Sequence, residues 1–293
     1  MSRPPAPERL SEDRFLRVTL AQFTASPGNV DDNVEQMMSL LAAGVADGAQ
    51  LVCFPELCVP GYALEPRRYG NDMLGALRRA DDVITAAARK HGVQVMYGSA
   101  RQRAGQLFNV VVLVDCEAAS TVYAKTHVPS AELSVFTAGE ELVLTGDGDL
   151  ALACCYDLAF PQLCAELAGA GARALFFPMA WEEQRAFVFE AIVAARAIEN
   201  VAYVVCVNQS GSFAGTRFHG GSRIVDPVGE TVVQMGNETG FATGNLDLAW
   251  VTSLRSSATT ATYPLLADRR AGLPVRRGPA NDREARVEAA DGR

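Results

Sequence analysis

Residues 15–23, FLRVTLAQF, alternate apolar and polar side chains and are rich in strand formers, which predicts a first strand. Pro27-Gly28-Asn29 breaks that pattern, and Val30, Val34, Met37, Met38, Leu41 and Val45 then recur at helical spacing up to the stop at Gly48. Residues 50–54 form the next strand. The cycle repeats as a helix near 74–90, a strand at 93–98, and paired strands at 107–115 and 120–123. A strand at 150–154, a helix at 161–170, a strand at 173–178, a helix at 185–200 and a strand at 201–208 follow. Strand pairs are then predicted through SRIVDPVGETVVQM and ATGNLDLAWV, with DPVG as a hairpin turn. Strands interspersed with helices early and with hairpins later predict an α/β fold of mixed sheets covered by helices.

Composition changes this picture only at its edges. With 293 residues, 49% of them hydrophobic and evenly spread, the chain suits one large domain, expected at 15–275. Residues 1–14 and 276–293 are charged, punctuated by Pro or Gly and poor in large apolar side chains, so both are expected to be mobile segments. A net charge of −8 without a basic stripe argues against nucleic acid as a partner. The polar N-terminus lacks a signal-peptide core and no apolar run reaches the length of a membrane span, so a cytoplasmic protein with no membrane partner is expected. Seven cysteines without framework spacing read as reduced thiols, mostly small core residues. There is no CxxC pair and the three histidines lie far apart in sequence, so no metal site is expected.

Chemistry enters at the strand ends. Glu56 in LVCFPELCVPGY, Lys125 in VYAKTHVPS and Cys155 in ALACCYDLAFPQ each follow a β-rich apolar run, and strand ends are where α/β proteins assemble sites. A carboxylate, an ammonium and a thiol brought together there supply a proton acceptor, an oxyanion partner and a nucleophile. The apolar neighbours of Glu56 are expected to raise its pKa toward use as a base. Cys154 competes with Cys155; successive strand residues point to opposite faces, so one of the two should face the site. His127 has no evident Asn or Asp to orient it and reads as structural, as does His219 beside Gly220-Gly221. Glu132, by its surroundings alone, reads as an exposed loop charge.

With these segments together, the chain resembles the amidase-like branch of the nitrilase superfamily of carbon–nitrogen hydrolases, from about Phe15 to Pro274. FPELCVPGY resembles its glutamate motif, YAKTHVPSAELSVFTAGE its lysine motif and CCYDLAFPQ its cysteine motif; ARAIENVAYVVCVNQSG, FHGGSRIVDPVGE and ADRR are similar to later signatures. The resemblance implies a four-layer α-β-β-α sandwich, no cofactor, a small-molecule amide substrate, and a homodimer or higher homo-oligomer, commonly dimerised through helices 161–170 and 185–200. It implies Glu56 as general base, Cys155 rather than Cys154 as nucleophile, and Lys125 with the N–H of Tyr156 as oxyanion partners. Glu132 becomes a second glutamate bonded to Lys125 or the substrate. Tyr62, Tyr156, Met179, Ala180, Trp181 and residues 210–219 are the expected substrate contacts. Ala124, Ala159 and Gln162 depart from the common pattern, with altered supporting or substrate contacts expected at 159 and 162. Tyr156-Asp157 is similar to amidases, where nitrilases carry Trp-Glu. Hydrolysis of N-carbamoyl amines is the main alternative; a nitrilase or a non-catalytic binding member of the fold are the others.

Overall fold

The computed structural model describes residues 15–145, 148–213 and 215–256. The expectations for 1–14 and 276–293, the domain end at 275, the ADRR match and Ala214 within 210–219 lie outside these described residues.

The first half supplies five strands of a six-stranded sheet. Its strands are β1 (Leu16–Gln22), β2 (Leu51–Cys53), β3 (Gln94–Arg103), β4 (Gln106–Val114) and β5 (Ser120–Ala124), with helix α1 (Val30–Ala46) between β1 and β2 and α2 (Asn71–His91) between β2 and β3. The second half repeats the plan. β6 (Val143–Leu144), β7 (Leu150–Leu152), α3 (Pro161–Gly169), β8 (Ala174–Met179), α4 (Ala186–Asn200) and β9 (Tyr203–Asn208) lead through a small hairpin, β10 (Ser212–Phe213) and β11 (Thr216–Arg217), to β12 (Arg223–Val225), β13 (Thr231–Gln234), β14 (Gly240–Leu246) and α5 (Leu248–Ser256). The strand orders are β14-β1-β2-β3-β4-β5 and β13-β12-β9-β8-β7-β6. In each sheet three parallel strands, β1-β2-β3 or β7-β8-β9, are flanked by antiparallel neighbours. This placement follows from connection chemistry: strands joined by helices pair in parallel and those joined by turns pair antiparallel.

Strand alternation sorts the layers. Val18, Leu20, Leu51, Cys53, Met96, Val111 and Leu113 face a core shared with β7, β8 and β9, whereas Ala21, Val52, Val95, Val110 and Val112 face α1 and α2. Phe189 and Val193 of α4 and Leu163 and Leu167 of α3 cover the second sheet. The result is the expected four-layer α-β-β-α sandwich.

Three details differ from the sequence reading. β3 continues to Arg103 and turns at Ala104-Gly105, both at positive φ, which makes a tight hairpin with β4. β14 leaves the 223–234 hairpin and pairs with β1, 16↔246 through 22↔240, so the last strand among the described residues closes the first sheet. Residues 248–256 are helix rather than strand; the Asp247 carboxylate accepts from the Trp250 N–H at 2.9 Å and starts that helix.

Candidate active site

Glu56 lies just past the C-terminal end of β2 in a segment clamped from both sides. Its N–H donates to the Met179 carbonyl at 3.3 Å and its carbonyl accepts from Gln209 Nε2 at 3.0 Å. Gly98 of β3 lies directly beneath: a Cβ there would sit 2.3 Å from the Leu57 nitrogen and 2.6 Å from the Glu56 Cα, so only glycine lets this segment close down. Leu57 follows at φ 47, a left-handed conformation that is unfavourable for a side chain with a Cβ and that turns Glu56 inward.

Lys125 follows β5. Its N–H donates to the Asn109 carbonyl at 2.9 Å and its carbonyl accepts from Gly139 N–H at 2.8 Å, which ties down the 126–139 loop. Within that loop Phe136 is buried against the ring of Tyr69, carrying Glu132 inward. The ammonium bridges the two carboxylates: Nζ donates to Glu56 Oε1 at 2.7 Å and to both Glu132 oxygens at 2.9 Å. Glu56 is 0% exposed, Lys125 1% and Glu132 1%, so Glu132 is not the loop charge its surroundings suggest.

Cys155 is 8% exposed, at φ 43 in a short turn after β7. Asp157 holds that turn, accepting from the Cys154 N–H at 2.9 Å, the Tyr123 hydroxyl at 2.7 Å, the His127 N–H at 3.0 Å and His127 Nδ1 at 2.9 Å. His127 therefore has the aspartate orienter that linear reading failed to find, and its ring stacks on Phe160 at 3.7 Å. Asp157 joins the cysteine turn to the lysine loop across 30 residues of sequence.

The two thiols do not divide between faces as strand alternation predicts. β7 ends at Leu152, so alternation is lost before position 154. The Cys154 thiol donates to Glu56 Oε1 at 3.4 Å, and Cys155 lies close enough that, beyond burial, the Glu56 charge pushes its thiol up. Both cysteines thus lie near the same carboxylate; Cys154 is 0% exposed.

Charge states follow from burial and from the lysine. Burial alone would raise the Glu56 carboxyl, but the adjoining Lys125 ammonium and hydrogen bonds from Cys155 and Asn109 hold it below the usual carboxylate range, opposite to the direction its apolar neighbours suggest. Glu132 goes up, through burial and the negative charge of Glu56. Burial opposes charge on Lys125, yet Glu56 and its other anionic neighbours raise its pKa well above normal. Burial and Glu56 push the Cys155 thiol well up. At rest the site thus holds an ammonium, an ionised Glu56 and a neutral thiol, so a thiolate must be made by proton transfer at the moment of attack.

Of the expected substrate contacts, Tyr62 donates its hydroxyl to Glu132 Oε1 at 2.9 Å, edge-on to Phe218. The Ala180 N–H donates to Glu56 Oε2 at 3.0 Å, and Met179 contributes its carbonyl. Trp181 donates its indole N–H to the Arg185 carbonyl and packs on Phe189, and Tyr156 is 39% exposed against Phe160. Asn109, absent from the sequence reading, donates to Glu56 Oε1 at 2.7 Å. A polar residue within the apolar run of β4 was its signal. Among the described residues no group of His, Cys, Asp and Glu is arranged to hold a metal ion, and no helix is long and apolar enough to cross a membrane.

The family model for carbon-nitrogen hydrolases matches residues 17–256. A "hydrolase in pqqF 5′ region" of Pseudomonas protegens is 32% identical, covering 80% of this chain and 84% of its own. The 2-oxoglutaramate amidase of Bacillus subtilis is 29% identical over 82% of this chain and 94% of its own. A solved structure of an amidase variant from Nesterenkonia sp. AN1, with the acetamide moiety of fluoroacetamide covalently added at its active-site cysteine, superposes with a TM-score of 0.78 at 25% identity, covering 90% of this chain and 97% of that one.

Proposed function

The chain belongs to the carbon–nitrogen hydrolase family and is a hydrolase of its amidase type, and from that premise we propose that it cleaves a small amide at Cys155, releasing ammonia and a carboxylic acid through a thioester. The observation that carries this reading is the buried Glu56 carboxylate, bonded to the Lys125 ammonium and near enough to Cys155 for its charge to act on the thiol.

Glu56 takes the thiol proton as sulfur attacks the amide carbon. The oxygen that becomes negative is met by the Lys125 ammonium, held in place by Glu56 and Glu132, and by the Tyr156 N–H. Glu56 returns its proton to the amide nitrogen, the C–N bond breaks, ammonia leaves and the acyl group remains on sulfur. Water then gives a proton to Glu56 and attacks the thioester; collapse frees the acid, and Glu56 reprotonates the sulfur. Glu132, held by Tyr62, keeps the lysine in place throughout.

The test is ammonia release with intact-protein mass across ω-amides, aliphatic and aromatic amides, N-carbamoyl amines and nitriles, for wild type and Trp181→Ala. Ammonia with a transient acyl mass from a simple amide is the expected result, with a changed substrate order in Trp181→Ala. Carbon dioxide released with the ammonia would make carbamoyl amines the substrate, and turnover of nitriles alone would replace the amide reading. An unchanged order in Trp181→Ala would remove that residue from the pocket.

The reading includes a cytoplasmic homodimer. Free thiols at all seven cysteines suit a reducing compartment. Phe187 is 74% exposed and Ile198, three helical turns along α4, is 39% exposed, leaving an apolar stripe on a helix already expected at a subunit contact. Light scattering should give twice the chain mass for wild type and a monomer for Phe187→Glu; a wild-type monomer would refute the contact.

A further inference from the structure

The two oxygens of Glu56 are not equivalent. Oε1 accepts from Lys125 Nζ at 2.7 Å, from Asn109 Nδ2 at 2.7 Å and from the Cys154 thiol at 3.4 Å. A carboxylate oxygen with three donors has little capacity left for a fourth. Oε2 accepts from the Ala180 N–H at 3.0 Å, so it keeps the greater accepting capacity. We infer that Asn109 is a positioning residue for the reaction: its amide, filling Oε1, turns Glu56 so that Oε2 is the oxygen exchanging a proton with Cys155. This rests on the proposed role of Glu56 as base.

Asn109 is 1% exposed, within a strand whose other inner-face residues include Val111 and Leu113. An amide there is less favourable than an apolar side chain unless it is bonded. Its bonds run toward the site. The side chain donates to Glu56, its Oδ1 lies 3.9 Å from the Cys154 sulfur, and its backbone carbonyl accepts from the Lys125 N–H at 2.9 Å. One residue of β4 therefore sets the base through its side chain and the lysine through its main chain. A substitution that keeps the main chain removes only the first link.

The experiment compares Asn109→Leu and Asn109→Ser with wild type, after thermal unfolding has verified the fold. Losing a donor to a charged group is expected to lower kcat by roughly 10- to 100-fold, with KM within about threefold because Asn109 does not reach the substrate. The donor favours the ionised form of Glu56. Its loss raises that pKa, so the acid limb of the rate profile moves to higher pH. Iodoacetamide modification of Cys155, followed by peptide mass against pH, should show the same displacement without any turnover. That second readout separates the two failures: a wild type inactive on every substrate, but with an alkylation limb that still moves, refutes the amidase reading and keeps this inference. An unmoved limb in whichever variant folds, or kcat within about threefold of wild type, overturns it.

Discussion

Cys155→Ala is expected to lower ammonia release by at least about 10⁴-fold, while Cys154→Ala stays within about tenfold of wild type. The contrast is informative because the Cys154 thiol donates to Glu56 and Cys155 lies near the same carboxylate. Cys154 has no exposed surface, its N–H is bound by Asp157, and its sulfur shares Glu56 Oε1 with Lys125 and Asn109. A substrate carbon has no approach to that sulfur. Cys155 is the more exposed of the two, and its positive φ marks a bend where backbone N–H groups are free of strand pairing. Acyl mass on intact protein decides the matter: an adduct in Cys154→Ala and none in Cys155→Ala is the expected pair of results. The reverse pair would move the nucleophile by one residue and break the proposed mechanism.

The sequence located Glu56, Lys125 and Cys155 because local pattern alone delivers a residue to a strand end, and the alternation in β1 to β4 is regular enough to sort inner from outer faces. The errors have a common physical origin in distances that linear order does not encode. The apolar neighbours of Glu56 correctly announced its burial, but the sign of its pKa shift depends on an ammonium 69 positions away. Asp157 was visible beside Cys155, yet its bonds to Tyr123 and His127 exist only because β5 and the 155–159 turn meet across the sheets. Cys154 and Cys155 were separated by an alternation rule that holds inside a strand, and β7 stops two residues too early for it to apply. β14 was legible as a strand but its partner was not, since pairing with β1 joins the ends of the described chain.

Lys125→Met is expected to abolish turnover and to destabilise the fold by about 3–5 kcal/mol, the usual consequence of stripping one partner from a buried ion cluster. Methionine fills similar volume, so the loss is electrostatic rather than a cavity. The pH dependence identifies the cause. In wild type the folded Glu56 pKa lies below its ordinary value of 4.5, so its contribution is present above that pH and fades as pH falls. Without the ammonium, burial acts unopposed by the lysine on Glu56 and Glu132, and both folded pKa values rise above those of the unfolded chain. A raised carboxyl favours folding below its unfolded pKa and loses that contribution as pH rises through its folded pKa. Glu132 is already raised in wild type, so the change of sign belongs to Glu56. The stability gap between wild type and Lys125→Met should therefore be small near about pH 4 and widen toward about pH 8, measured by denaturant unfolding. Adding Glu56→Gln should recover part of the stability at the higher pH, because the uncompensated charge is gone, while turnover stays lost. A gap of equal size at both pH values, with no recovery in the double variant, would mean that Lys125 does not hold the buried carboxylates in their charge states.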